Sequence, residues 1–207
     1  MRVKFCGFTR REDLEVAVDL GVDAVGFILH PSSPRNLSIE KAIELAKDLP
    51  PYVTRVAVTV NALPDIMDRL TSSGAFDCFQ LHGDEDGAYS SRLAGNKLVK
   101  AVGIPSQLTI EEMASLPVSA LLLDKASEKR GGTGETLDWN LAGKICETLR
   151  VEYGKPVILS GGLKEQNVLE AIRSVHPYGI DVCSGIEKEP GIKDPEKMRR
   201  LIHLCRK

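Results

Sequence analysis

The chain has few aromatic residues and almost no net charge, and both shortages exclude classes of function. Phe, Trp and Tyr make up 5% of its 207 residues, which is too few for a platform on which nucleic-acid bases stack. The formal net charge at pH 7 is −2, without the basic excess that binds nucleic acid or an anionic membrane surface. We therefore expect neither nucleic acid nor membrane as a partner.

Closely spaced cysteine pairs are missing as well. The five cysteines are Cys6, Cys78, Cys146, Cys183 and Cys205, and no two of them stand at a CxxC spacing. An odd number without such pairs argues against a disulfide framework or a zinc knuckle, and it predicts a reducing compartment. No set of His, Cys and carboxylate residues has the spacing of metal ligands, so we expect no metal.

Long apolar runs are also lacking. Arg2 and Lys4 interrupt the N-terminus where the apolar region of a secretory signal would lie, and no run approaches the length of a membrane span. The apolar fraction of 43% and the charged fraction of 27% are those of an ordinary soluble globular protein. We expect a cytoplasmic enzyme or binding domain.

What the sequence does contain is a regular alternation of strand and helix patterns. Short apolar runs predict strands over 3–9, 23–29, 53–60, 76–81, 97–102, 119–123, 156–159 and 179–182. Helical patterns follow at 11–20, 39–49, 64–71, 85–93, 110–116, 139–150, 165–175 and from 195 onward. Without a linker between them, these units predict an α/β protein in which residues 1–207 form a single (β/α)8 TIM barrel. A doubly wound sheet is the alternative, but no GxGxxG follows the first strand.

Polar residues stand at or just after the ends of many predicted strands. They are Cys6, Arg35, Asn61, His82, Asp124 and Asp181, together with Ser160-Gly161-Gly162 and Ser184-Gly185. In a parallel barrel the carboxyl ends of the strands meet at one mouth. A cysteine, a histidine, carboxylates and two glycine-rich loops at the same edge predict an active site there.

Cys6 and Asp124 have the residue types of an acid/base pair. They close the first and sixth strands, which places them across the mouth from each other. A thiol acts as a base if its pKa falls toward neutrality, and a carboxyl acts as an acid if burial raises its pKa. The alternatives are that Cys6 is a small buried apolar residue and that Asp124 caps its loop or pairs with Lys125.

The glycine-rich loops after the last two strands predict a phosphate site. In this fold, bare backbone N–H groups near Gly161-Gly162 and Ser184-Gly185 can surround an anion, whereas the alternative is that the glycines only allow tight turns. A third glycine-rich stretch, Gly131-Gly132-Thr133-Gly134, predicts either a mobile lid or a plain flexible loop.

Two further mouth residues have both a functional and an ordinary interpretation. Arg35 is a candidate for bidentate capture of a substrate carboxylate, or it is an exposed loop arginine without a role. His82 is a candidate third polar contact, or it is a histidine whose nitrogens are satisfied by its own loop.

Several stretches carry a resemblance that runs in order along nearly the whole chain. The opening Lys4-Phe-Cys6-Gly-Phe-Thr9 is similar to a K-[IF]-C-G-[ILF]-T motif. Further matching stretches are Ser33-Pro-Arg35, Gln80-Leu-His82-Gly83, Leu123-Asp124, Gly132-Thr-Gly134, Leu159-Ser-Gly-Gly-Leu163 and Asp181-Val-Cys-Ser-Gly185. Together they resemble the phosphoribosylanthranilate isomerase family of tryptophan synthesis.

The resemblance implies a small (β/α)8 barrel that needs no cofactor. It implies an Amadori rearrangement of a small phosphorylated substrate, N-(5-phosphoribosyl)anthranilate, to 1-(2-carboxyphenylamino)-1-deoxyribulose 5-phosphate. Cys6 is implied as the general base, Asp124 as the general acid, and Arg35 as the contact of the anthranilate carboxylate. The loops at Gly161-Gly162 and Ser184-Gly185 are implied to hold the phosphate. His82 and Asp181 are further candidate substrate-binding residues, and the chain is expected to act as a monomer or a homodimer.

Three other functions are weighed against this one. A histidine-pathway isomerase of the same fold uses two aspartates, so Cys6 argues against it. A non-catalytic phosphoribosyl-binding barrel would keep the phosphate loops and lose Cys6 or Asp124, but both are present. A structural scaffold has no reason to collect such groups along one rim.

Overall fold

A computed structural model of the chain describes residues 1–126 and 137–206 and contains the eight predicted strand–helix units. The strands are β1 Arg2–Cys6, β2 Ala24–Ile28, β3 Thr54–Thr59, β4 Cys78–Leu81, β5 Leu98–Ile104, β6 Ala120–Lys125, β7 Val157–Leu159 and β8 Gly179–Val182. The helices are α1 Arg11–Asp19, α2 Ile39–Lys47, α3 Pro64–Ser72, α4 Gly87–Arg92, α5 Ile110–Ser115, α6 Trp139–Tyr153, α7 Val168–Val175 and α8 Pro195–Arg206. The glycine-rich stretch 131–134 lies outside the described residues.

The eight strands close into a parallel barrel in chain order, and β8 pairs with β1. The predicted TIM-barrel fold is confirmed. The strands consist of nearly continuous apolar residues because both of their faces are buried, one inside the barrel and one against the helices. The side chains inside the barrel are mostly small: Cys6, Val56, Val58, Cys78, Val99, Ala101, Ala120 and Leu122 form one cluster.

Strand alternation decides which residues of β1 reach the interior. Val3 and Phe5 belong to the larger apolar core that includes the buried faces of the helices, whereas Cys6 belongs to the cluster inside the barrel. Because successive side chains point to opposite faces of a strand, Lys4 points inward with Cys6.

None of the helices in residues 1–126 and 137–206 is long and apolar enough to cross a membrane.

Two helices begin later than the sequence pattern predicts. The residues before α7 form a turn in which the Lys164 backbone N–H donates to Asn167 Oδ1 at 2.8 Å, so the helix begins at Val168 rather than Glu165. The Asp86 carboxylate accepts the Tyr89 backbone N–H at 2.7 Å and caps α4. In both cases a short polar side chain satisfies a backbone donor and sets the boundary.

A small hairpin between β8 and α8 was not predicted. A 3-10 helix, Ser184–Ile186, leads into β9 Glu187–Glu189, which pairs antiparallel with β10 Ile192–Lys193. The turn between these two strands uses Gly191 at a φ of 86°. This hairpin brings two charged side chains, Glu187 and Lys193, into the protein interior near the mouth of the barrel.

Candidate active site

A cavity that opens to solvent lies at the carboxyl ends of the strands. Its lining includes most of the predicted site residues: Cys6, Arg35, His82, Asp124, Gly161, Gly162, Asp181 and Ser184. Gly185 is one residue further on and packs against the Leu163 carbonyl, where a Cβ would collide. Asn61 is not a lining residue, because its backbone N–H and its side chain are held by Glu85 and Asp84 in a turn.

Cys6 lies inside the mouth and is 4% exposed. Its sulfur and the Lys4 ammonium converge beside Gly26, where an added Cβ would lie 2.6 Å from the Cys6 Sγ and 3.1 Å from the Lys4 Nζ. Burial raises the pKa of the Cys6 thiol, and the adjacent Lys4 charge acts in the opposite direction without reversing the shift. The pKa of Cys6 is thus shifted away from neutrality, and the Lys4 charge is the group that favours its thiolate.

Lys4 is a buried cation held by side chains of two other strands, β8 and β4. Its Nζ lies 2.9 Å from Asp181 Oδ1 in an ion pair and donates a hydrogen bond to Gln80 Oε1 at 3.0 Å. The parallel register, which sets Lys4 opposite Asp181, produces the first contact. Burial alone would lower the pKa of Lys4, but the nearby Asp181 and Cys6 groups raise it above the ordinary value, so the lysine stays charged.

Asp124 closes β6 on the other side of the cavity and is 9% exposed. Its Oδ1 accepts the Lys125 backbone N–H at 2.7 Å, so the interpretation of Asp124 as a loop cap is correct for one oxygen. Its Oδ2 lies 3.4 Å from His82 Nε2 and faces the cavity together with that ring. Gly161 fits closely here, because a Cβ on it would lie 3.1 Å from Asp124 Oδ1.

Arg35 is buried rather than exposed, which excludes the interpretation as a loop arginine without a role. Its Nε donates to Glu187 Oε1 at 2.9 Å, and its Nη2 donates to Glu187 Oε2 at 2.6 Å. Lys193 Nζ donates to Glu187 Oε1 at 2.8 Å and to the Cys6 carbonyl at 2.5 Å. Burial would raise the pKa of Glu187, but the Arg35 and Lys193 cations hold it below the usual value. One edge of the Arg35 guanidinium is thus already committed to Glu187.

The two predicted phosphate loops meet at the same edge of the cavity. Gly161 and Gly162 have φ values of 85° and 65°, a conformation that favours glycine. Ser184 and Gly185 begin the 3-10 helix after β8. Within residues 1–126 and 137–206, the backbone N–H groups of Gly161, Gly162, Ser184 and Gly185 donate to no protein acceptor. Unused N–H groups on two adjacent loops can surround an anion.

Three buried residues of the site were missed by sequence reasoning. Lys4, Gln80 and Glu187 contact Asp181, His82 and Arg35, but they are not strand-end polar residues. The period of two offers a signal for the first two, because Lys4 precedes Cys6 and Gln80 precedes His82 by two positions and so share their face. Nothing in the pattern points to Glu187, which lies on a three-residue strand.

No group of three or more His, Cys, Asp or Glu side chains in the described part of the chain is placed to hold a metal ion. The described residues bring together a thiol and a carboxyl on opposite sides of one cavity, beside an edge with unused backbone N–H groups.

Comparison with known proteins identifies the family. The model of the N-(5'-phosphoribosyl)anthranilate isomerase family matches residues 3–203. The N-(5'-phosphoribosyl)anthranilate isomerase of Legionella pneumophila (strain Lens) is 45% identical over 205 residues, which cover 98% of this chain and 95% of the relative.

This chain belongs to the phosphoribosylanthranilate isomerase family. The crystal structure of the Thermotoga maritima phosphoribosyl anthranilate isomerase is 36% identical, covers 100% of this chain and 98% of its own, and has a TM-score of 0.88. A phosphoribosyl anthranilate isomerase in complex with reduced 1-(o-carboxyphenylamino)-1-deoxyribulose 5-phosphate is 34% identical over the same shares, with a TM-score of 0.86. The activity of the chain is accordingly the isomerisation of N-(5'-phosphoribosyl)anthranilate in tryptophan synthesis.

Proposed function

We propose that Cys6 is the general base and Asp124 the general acid of the Amadori rearrangement. The observation that carries this proposal is their placement: both are buried, both line one cavity, and they close β1 and β6 on opposite sides of the barrel. A sugar that lies between them presents one face to each group, which is the arrangement that two separate proton transfers require.

The chemistry needs a proton donor first and a proton acceptor second. The substrate is an aminal-type furanose, and Asp124 protonates the ring oxygen so that the ring opens to a Schiff base. The C2 proton of this Schiff base is acidic, and the Cys6 thiolate removes it to give the enolamine, which tautomerises to the ketone. Lys4 lies beside the sulfur and stabilises the thiolate against the cost of burial.

The two ends of the substrate are held by different parts of the mouth. The free N–H groups at Gly161, Gly162, Ser184 and Gly185 bind the phosphate. Arg35 binds the anthranilate carboxylate through the guanidinium edge that Glu187 leaves open, since its Nη1 has no acceptor in the described residues. Asp181 and His82 line the cavity between these ends and contact the ribose. The compound bound to one relative has a carboxyphenyl group at one end and a phosphate at the other, which fits a carboxylate site and a separate phosphate site.

The test is a fluorescence assay that follows the consumption of phosphoribosylanthranilate by wild type, Cys6→Ser and Asp124→Asn. Each variant is expected to lose at least about a hundredfold in turnover, because each removes one proton transfer. Binding of a reduced product analogue is expected to change much less. Wild-type turnover by Cys6→Ser would refute the base assignment.

Substrate deuterated at ribose C2 separates the two roles. In Cys6→Ser, proton abstraction limits the rate and a primary isotope effect is expected. In Asp124→Asn, ring opening limits the rate and the isotope effect is expected to shrink. A large isotope effect confined to Asp124→Asn would reverse the two assignments.

We also propose that the chain folds as one domain, works in the cytoplasm and acts as a monomer or homodimer. All five cysteines are free thiols, which fits a reducing compartment. The isomerase of Thermotoga maritima, a solved relative, is dimeric. Light scattering on the purified protein tests the assembly, and a trimer or larger species would contradict it. A single cooperative unfolding transition is expected for one domain.

A further inference from the structure

A chain of polar contacts crosses the mouth from the proposed base to the proposed acid. Beside Cys6, Lys4 Nζ donates to Gln80 Oε1 at 3.0 Å. Gln80 Nε2 lies 2.9 Å from His82 Nδ1, and His82 Nε2 lies 3.4 Å from Asp124 Oδ2. Gln80 is 2% exposed, so water does not compete for its amide.

The donor and acceptor roles along this chain follow from the lysine. An ammonium has three donors and no acceptor, so the Gln80 atom that faces Lys4 is the carbonyl oxygen. The amide NH₂ must then face His82, and His82 Nδ1 must accept with a lone pair. A neutral imidazole with a lone pair on Nδ1 carries its proton on Nε2. The proton is then on the nitrogen that lies 3.4 Å from Asp124 Oδ2.

We propose that Gln80 is a positioning residue that holds His82 in the Nε2–H tautomer, so that His82 stabilises the carboxylate left on Asp124 after proton delivery. The proposal rests on the proposed role of Asp124 as the general acid. In the opposite tautomer, the Nε2 lone pair would face Asp124 and retain the acid proton in an O–H···N hydrogen bond. The acid would then give up its proton less readily, and ring opening would slow.

The other charged groups around His82 leave this assignment unchanged. Glu85 and Lys100 pair with each other at 3.1 Å and hold the backbone of Gly83, the next residue. Asp84 is hydrogen-bonded to Asn61. On the side of β1 and β8, Asp181 is paired with Lys4 and reaches His82 only through Gln80. Asp124 on β6 is the one charged side chain in the described residues that contacts the His82 ring.

Gln80→Glu tests the proposal by exchanging the donor for an acceptor of nearly the same shape. One carboxylate oxygen still accepts from Lys4, while the other accepts from His82 and draws the proton to Nδ1. At pH 8.5, above the range in which histidine ordinarily titrates, side-chain ¹⁵N NMR is expected to show His82 as Nε2–H in wild type and as Nδ1–H in Gln80→Glu. Turnover is expected to fall at least about tenfold with KM changed less than about threefold, since part of the acid contribution is lost.

Two matched variants separate the tautomer from charge and packing. Gln107 is exposed and is not a lining residue of the cavity, so Gln107→Glu adds the same charge and is expected to keep wild-type turnover. Gln80→Met keeps the length and removes both hydrogen bonds, so His82 is expected to populate both tautomers and turnover to lie between wild type and Gln80→Glu. If Gln80→Glu does not fold, Gln80→Met alone decides. The chain has four histidines, and the loss of one signal in His82→Asn assigns the resonance.

Three results would overturn the proposal: a wild-type His82 with its proton on Nδ1, a Gln80 variant that keeps the pure Nε2–H form, or a changed tautomer with unchanged turnover. Failure of the proposed general-acid role would be seen in a different measurement, the turnover of Asp124→Asn. If Asp124→Asn kept its turnover, the acid assignment would fall, while the NMR assignment of the His82 tautomer would stand.

Discussion

The two sides of the barrel mouth are held by different kinds of interaction. On the side of Cys6, five buried charges pair with one another: Lys4 with Asp181, and both Arg35 and Lys193 with Glu187. On the side of Asp124, the described contacts of the carboxylate are with the backbone N–H of Lys125 and with His82. After the proposed roles of Cys6 and Asp124, we call these the base side and the acid side.

The difference fits the roles proposed for Cys6 and Asp124. A thiolate in a dry site needs a fixed positive charge, and buried ions hold their places only when each has a partner. A carboxyl that gives up and regains a proton works among dipoles, because a fixed cation would lock it in the ionised form. We therefore expect the base side to be disrupted most by removing a charge, and the acid side to be disrupted most by moving the Asp124 carboxyl.

The largest effect is expected from removing one charge on the base side. Lys4→Met leaves Asp181 buried and unpaired, which typically costs about 3–5 kcal/mol of unfolding free energy. Urea unfolding at pH 7 measures this loss. The double variant Lys4→Met/Asp181→Leu removes both charges and is expected to recover most of it. A single variant as stable as wild type would mean that the base side is not held by its charges.

On the acid side, Gly161→Ala is expected to reduce activity more than stability. The new Cβ meets Asp124 Oδ1 and the Lys125 backbone nitrogen at 3.1 and 3.2 Å, so the acid must move. The left-handed φ adds a strain of about 1–2 kcal/mol. We expect kcat/KM to fall at least about tenfold, in line with the sensitivity of general acid catalysis to position.

Gly154→Ala is the matched control for that change. Gly154 has a φ of 62° at the C-terminal cap of α6, and nothing lies within 4 Å of an added Cβ. It carries a similar backbone strain of about 1–2 kcal/mol without touching the site. Equal losses of activity in both variants would show that strain alone, rather than the position of Asp124, lowers the rate.

The Arg35–Glu187 pair is expected to give a smaller effect that depends on pH. Arg35→Ala should weaken the binding of carboxylated product analogues more than that of ribose 5-phosphate. Arg35→Lys should restore this binding only in part, because lysine lacks the two-pronged guanidinium that binds a carboxylate through two hydrogen bonds.

Glu187→Gln should destabilise the protein at neutral pH. Because folding lowers the pKa of Glu187, this contribution is complete above the ordinary value of 4.5 and is lost as the pH falls below it. Unfolding curves of the two proteins should therefore converge in acid; a constant difference would exclude the ion pair.

Much of the fold was predictable because local patterns encode it. Continuous apolar runs of four to eight residues predict buried parallel strands, and Pro64 at the start of α3 predicts a helix start that the structure has. The β9–β10 hairpin was not predictable in this way. Its strands have only three and two residues. Glu187 and Lys193 have the sequence pattern of solvent-exposed loop residues, although both are buried in the structure.

The site was predictable as a set of residue types and less so as an electrostatic arrangement. Strand ends collect at one mouth in a parallel barrel, so Cys6 and Asp124 could be placed without coordinates. Arg35 pairs with Glu187, which lies 152 positions later in the chain, and no repeating sequence pattern predicts that these two residues meet. The direction of the pKa shift of Cys6 was not predictable, because it depends on burial outweighing the charge of Lys4, a balance that strand patterns do not contain.

The smallest effect, and the most direct measure of the base side, is the pH at which Cys6 becomes alkylated. Because burial raises its pKa, the reaction of Cys6 with iodoacetamide is expected to reach half of its maximal rate above pH 9.0. Cys183 at the same mouth provides an internal control, since burial raises the pKa of Cys183 to about 12 and its midpoint should also lie above pH 9.0. Lys4→Met should move the Cys6 midpoint upward and leave that of Cys183 nearly unchanged, as read by peptide mapping. A raised folded pKa also means that these buried thiols stabilise the fold less as the pH rises past 9, so the measurements belong below the onset of alkaline unfolding. A Cys6 midpoint below 9.0 would mean that the charge of Lys4 outweighs burial, and that the base side holds a ready thiolate before any substrate arrives.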